Sequence, residues 1–172
     1  MTVRLTRLGL GEWLLGISSV VLLIDLFGVT WFQYRAQFHA TMAMLGQRVA
    51  ANGWQSFEAV GPLTLVVALA GVAIVWLAAT RRSPALPVVV TTLLLPVSFV
   101  QAVLVAVRVL LDPPAVQLAA AGGANVIETR AGAYIGVATS LALFAGVYVS
   151  LRRDAVAPED APSVIETLRV PS

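Results

Sequence analysis

The chain is patterned in long apolar blocks separated by shorter polar stretches. Four blocks stand out, covering about 11–32, 59–79, 86–110 and 131–151. Each holds roughly 20 residues or more, and at ~1.5 Å of rise per residue a helix of that length crosses a ~30 Å hydrocarbon layer. Strands of a membrane barrel would alternate polar and apolar positions and run about half as long. The blocks therefore predict helices, and the expected fold is all-α: an integral membrane four-helix bundle over 1–153. The tail over 154–172 carries Pro158, Pro162 and Pro171 among four acidic residues and is expected to be disordered. Arg4 and Arg7 precede the first block, as in a secretory leader. That block is too long for a leader's apolar core and no A-x-A pattern follows it, so it is read as an uncleaved first span.

Two longer polar stretches lie on one side of the predicted bundle. In the first, Gln33 to Glu58, the residues Phe38, Met42, Leu45 and Val49 recur at helical spacing. This predicts an amphipathic helix in the first outer loop. Asn52-Gly53 ends it, and Trp54 and Phe57, together with Trp31, are expected to act as interface anchors. The second stretch, Asp112 to Arg130, opens on Asp-Pro-Pro and contains Gly122-Gly123, so it is expected to be irregular.

Composition agrees with a lipid solvent. Of 172 residues, 59% are hydrophobic and 12% charged, and the mean hydropathy is +0.89. That is too little charge to cover a soluble domain. The formal charge of +2 comes from eleven basic residues, every one an arginine, most of them just beyond the ends of apolar blocks. This placement is a topology signal, and no nucleic-acid surface is expected. Arg4, Arg7, Arg81, Arg82, Arg152 and Arg153 fall on one side of a four-span chain, against Arg35, Arg48 and Arg130 on the other. The positive-inside rule then places both termini in the cytoplasm.

Candidate chemistry is sparse. There is no cysteine and one histidine, His39, so thiolate metal sites, disulfides and bis-histidine haem are excluded. No phosphate loop, H-E-x-x-H or di-metal carboxylate set is present, and neither enzymatic activity nor a cofactor or metal is expected. Asp25, inside the first block, costs ~2.5–3.5 kcal/mol at a lipid-exposed position, so it should face protein or a wet cavity. Counting depth from the helix ends puts Gln101 level with it and Arg108 seven residues further out. An intramembrane cluster of Asp25, Gln101 and Arg108 is the expectation, either an ion pair fixing helix register or a proton- or ion-coupled site or the wall of a polar ligand pocket. Pro96 is expected to kink the third span. Small residues at every fourth position of the last block, Gly132, Gly136 and Ser140 in one ladder and Ala138, Ala142, Gly146 and Ser150 in another, predict close helix packing. The packing partner is either the monomer itself or a second copy.

Several short motifs resemble those of small four-span proteins of high-GC bacteria with no known activity. They are Thr30-Trp31-Phe32, Trp54 to Phe57, the Arg81 to Pro84 turn and Arg130 to Tyr134. The resemblance implies a bacterial inner-membrane location and no particular chemistry. The plan also looks like that of claudin-type tetraspans, whose outer-loop cysteine pair is absent here, and like small multidrug exporters, which have briefer loops. The reading that follows is a non-enzymatic inner-membrane interaction or accessory subunit, with the bilayer and a membrane-protein partner or second copy as its contacts. The alternative is a small oligomeric transporter or channel-like protein with a polar cavity at Asp25, Gln101 and Arg108.

Overall fold

A computed structural model describes residues 8–80, 85–116 and 125–154. The expectations for Arg4, Arg7, Arg81, Arg82, Gly122-Gly123 and the tail beyond Asp154 lie outside these residues. Four helices are long and apolar enough to cross a membrane. They are α1 (Leu10–Gly28), α4 (Val60–Thr80), α5 (Ala85–Ala106, continued by a wide π-turn over Val107–Leu111) and α6 (Ala131–Asp154). Between them lie β1 (Thr30–Tyr34), α2 (His39–Met44), β2 (Ala50–Asn52), α3 (Gly53–Ser56) and β3 (Ile127–Thr129).

The long helices form a ring in which α1 packs on α6 and α4, and α5 packs on the same two neighbours. Thus α1 and α5 stand diagonally across the bundle. Each helix turns one stripe inward: Leu15, Ser18, Leu22 and Asp25 on α1, and Leu94, Ser98, Gln101 and Val105 on α5. The outward faces carry exposed Ile17, Ile24, Val66, Leu69, Leu93 and Phe99. Water is a poor solvent for such a surface and hydrocarbon a good one. Close approach comes from small residues. A Cβ on Gly146 would lie 2.6 Å from the Leu15 backbone nitrogen, and one on Gly11 would lie 2.5 Å from that of Ser150. The α1–α6 seam therefore closes backbone to backbone.

Two expectations fail at the loop end. The first span stops at Gly28 and does not reach 32, because Val29 and Thr30 leave the helix in extended conformation. Glycine is a poor helix former and β-branched residues favour strands. The expected amphipathic helix is only a 3-10 turn (Ala36–Phe38) followed by the six residues of α2. The rest of that loop supplies β1 and β2, and β3 from the second loop completes an antiparallel sheet in the order β2-β1-β3. The fold is thus a helical bundle closed at one end by a three-stranded sheet built from both loops.

Asn52 ties this sheet to the helices. Its Nδ2 donates to the Phe27 carbonyl at 2.8 Å, satisfying the last turn of α1. Its Oδ1 accepts from the Gln55 amide at 3.0 Å and caps α3.

Candidate functional site

A bulge builds the site. In the β1–β2 ladder Thr30 faces Asn52 and Phe32 faces Ala51, so Trp31 is an extra residue on β1. A bulge re-aims a side chain, and here Trp31 and Phe32 are both buried although they are consecutive in a strand. The Trp31 ring sits in a slot between two glycines. A Cβ on Gly53 would come within 2.7 Å of the indole, and one on Gly136 would overlap its far edge. Phe57 meets the same ring edge-on at 6.1 Å. Trp31 and Phe57 are therefore core residues beneath the sheet, correcting their expected role as interface anchors. Trp54 remains partly exposed, stacked on Phe27 at 5.5 Å.

Below Trp31 lies Asp25. It is 1% exposed, and Oδ2 would stand 3.0 Å from a Cβ on Gly136. The Trp31 ring and Asp25 Oδ2 both crowd the Cβ position of Gly136, yet no hydrogen bond joins them. Oδ1, Oδ2 and the indole Nε1 are all buried without a bond.

Gln101, fully buried, projects into the bundle from the diagonal helix. Its Nε2 donates to Thr64 Oγ1 on α4 at 3.2 Å and to Ser140 Oγ on α6 at 3.0 Å, while Oε1 has no donor. Ser140 is one turn from Gly136, a spacing that makes the two neighbours at roughly 5–6 Å. Asp25 thus meets α6 at Gly136 and Gln101 meets it at Ser140, one turn further on.

Arg108 does not join them. The buried stripe of α5 continues through Val105 and Val109, and the π-turn carries Arg108 outward. There it pairs with Asp112 four residues on, half exposed, and lies over the Phe57 ring at 5.9 Å. Of the three expected residues, Asp25 and Gln101 are buried in the bundle and Arg108 is not; Gln101 meets Thr64 and Ser140, and Asp25 lies beside Trp31 and Gly136, neighbours that depth counting did not supply. Trp31 looked like the aromatic end of a span, and only the bulge points it inward.

The small-residue ladders resolve unequally. Gly132 lies against Thr30, Gly136 against Trp31, Ser140 on Gln101 and Gly146 on Leu15, all within one chain. Ala142 is partly buried and Ala138 is exposed, so the second ladder is inward-facing only at Gly146 and Ser150. Ser150 Oγ donates to Glu12 at 3.0 Å, closing the opposite end of the seam.

Two concavities lie outside this cluster. An apolar groove of about 450 Å³ lies between the outward sides of α1 and α4, lined by Trp13, Ile17, Val75 and Trp76. A shallower cleft of about 220 Å³ runs beside the sheet between Gln33, Arg48, Gln55 and Ile127. Among the described residues no group of three His, Cys, Asp or Glu side chains gathers at one point.

Fold and site together define a sheet-capped bundle of four helices of membrane-spanning character, with Asp25 buried in its interior. No family model, curated protein or solved structure matches the chain.

Proposed function

We propose that this is a non-enzymatic multi-pass protein of the bacterial inner membrane, acting as an interaction or accessory subunit. In this reading both termini face the cytoplasm and the sheet faces outward, which the arginine distribution supports. The observation that carries the reading is the tip of α2. Met42 is buried beneath it, anchoring the turn, while Met44 and Leu45 are 87% and 64% exposed. Gly46, at φ 71°, closes the helix by donating to the Ala43 carbonyl. An apolar tip held on an ordered platform is a contact surface for another protein.

A photo-crosslinking residue in place of Met44, in native membranes, tests this. One adduct of discrete mass is expected, with none from the same residue in place of Leu69 on the outward face of α4. Lipid adducts alone at both positions would overturn the reading.

A second reading, a small oligomeric transporter or channel-like protein, draws its support from the unpaired Asp25 carboxylate. Intramembrane ionisable groups that lack a partner mark ion and proton pathways. Flux of an ion across reconstituted vesicles, lost in Asp25→Asn, is its test.

A further inference from the structure

Asp25 and Gln101 present three buried oxygens without a donor: Oδ1, Oδ2 and Oε1. The Trp31 indole N–H nearby is likewise without a bond. Among the described residues the surroundings bring no positive charge. Between Val60 and Thr80 α4 has no ionisable side chain, and between Ala85 and Ala106 α5 has none. Before Arg152, α6 offers only Tyr134 and Tyr148, both half exposed. Glu12 shares α1 but lies at the other end of the seam, bonded by Ser150. On the sheet side, Tyr34 follows Trp31 on β1, His39 is bonded to the Tyr34 carbonyl, and Arg130 is paired with Glu128. Arg108 is held by Asp112.

A carboxylate enclosed this way needs both a donor and a compensating charge. Water supplies the first and not the second. A divalent metal ion beside a single carboxylate would leave an uncompensated positive charge in the interior and brings several waters of its own. We propose that the Asp25–Gln101 cluster is a binding site for a small monovalent cation, carried as a proton or as Na⁺. The Asp25 carboxylate supplies the charge and the Gln101 carbonyl a neutral oxygen. The Thr64 and Ser140 hydroxyls, which already accept from the Gln101 amide, fix that carbonyl's direction. Trp31, wedged between Gly53 and Gly136, closes the site on the sheet side.

This inference uses the same cluster as the transport reading and rests on it for any role in coupling. Occupancy itself is separate, so a protein that binds the cation and moves nothing supports the site and removes the transport reading. The measurement is thermal unfolding of the full-length protein in lipid nanodiscs. Na⁺ is titrated against choline at fixed pH, and pH is then titrated in choline chloride alone. Because a ligand that binds only the folded state stabilises it with the logarithm of its concentration, one series should raise the transition temperature steadily. Dependence on Na⁺ identifies the metal ion and dependence on acid alone identifies the proton. In Asp25→Asn that dependence should vanish while the background from surface groups remains. In Gln101→Leu, a Na⁺ response should need a higher concentration to reach half its size. A wild-type transition indifferent to Na⁺ and to pH would overturn the proposal without any variant. So would an Asp25→Asn protein that keeps the wild-type response.

Discussion

Gly136 on α6 faces the indole of Trp31 so closely that a methyl group at that position would overlap the ring. The same methyl would press on the Asp25 carboxylate at 3.0 Å. One glycine therefore sets how deeply the sheet is seated in the helix bundle. Gly136→Ala is expected to destabilise the protein by about 1–3 kcal/mol, the usual cost of overpacking a filled core. Ala138→Leu, two residues along the helix but exposed, should change stability by less than ~0.5 kcal/mol. Thermal unfolding in nanodiscs measures both.

Arg108 and Asp112 form an exposed pair at the sheet end, and such pairs contribute ~0.2–1 kcal/mol. Arg108→Gln should accordingly cost less than about 1 kcal/mol. Combined with Asp25→Asn its effect should be additive within ~0.5 kcal/mol, since the two residues share no partner. A double-mutant cycle reads this directly, and a larger coupling energy would show that Arg108 and Asp25 interact.

Gln101 holds α4 and α6 together through two hydroxyls, which gives its variants a characteristic order. Thr64→Val removes one acceptor and should cost about 1 kcal/mol. In the triple variant Gln101→Leu, Thr64→Val, Ser140→Ala, the donor and both acceptors go together. Its cost should fall well below the sum of the three single changes. Denaturant or thermal unfolding of the four proteins checks the sign of that non-additivity.

Asn52 serves two helix ends with one side chain. Asn52→Ala should cost about 0.5–2 kcal/mol and loosen the sheet before the bundle. Asn52→Asp keeps the cap on α3 but replaces the donor to the Phe27 carbonyl with an acceptor. It should therefore recover only part of the loss. Limited proteolysis in the 35–50 region, compared with global unfolding, distinguishes local from overall weakening.

The long helices could be read from the chain because roughly 20 consecutive apolar residues have few other structural solutions. Their boundaries were close for α4 and α6, where Thr80 and Ala131 border polar residues. They were poor for α1, where hydrophobicity runs straight through Gly28 into Trp31 and Phe32 although the backbone changes state. The sheet left no periodic trace: β2 and β3 have three residues each, too few for alternation to register. In β1 the bulge at Trp31 breaks the alternation that five residues could have shown. Asp25 was found from cost alone, since a carboxylate amid apolar residues must turn inward. Its partner was misjudged because depth along a helix says nothing about a local competitor. Asp112, one turn beyond Arg108, is closer than any residue on α1. Gln101 was legible as a polar residue in an apolar span, whereas its bonds to Thr64 and Ser140 depend on which helices are neighbours.

The proposed four-span arrangement puts the sheet on one aqueous side and seals Asp25 and Gln101 within. The chain has no cysteine of its own, so single cysteines can be introduced and probed with a membrane-impermeant maleimide on intact cells. Met44→Cys is expected to label from outside, Arg152→Cys only after the membrane is opened, and Gln101→Cys under neither condition. Labelling of Met44→Cys and Arg152→Cys from the same side, or ready labelling of Gln101→Cys, would contradict the account.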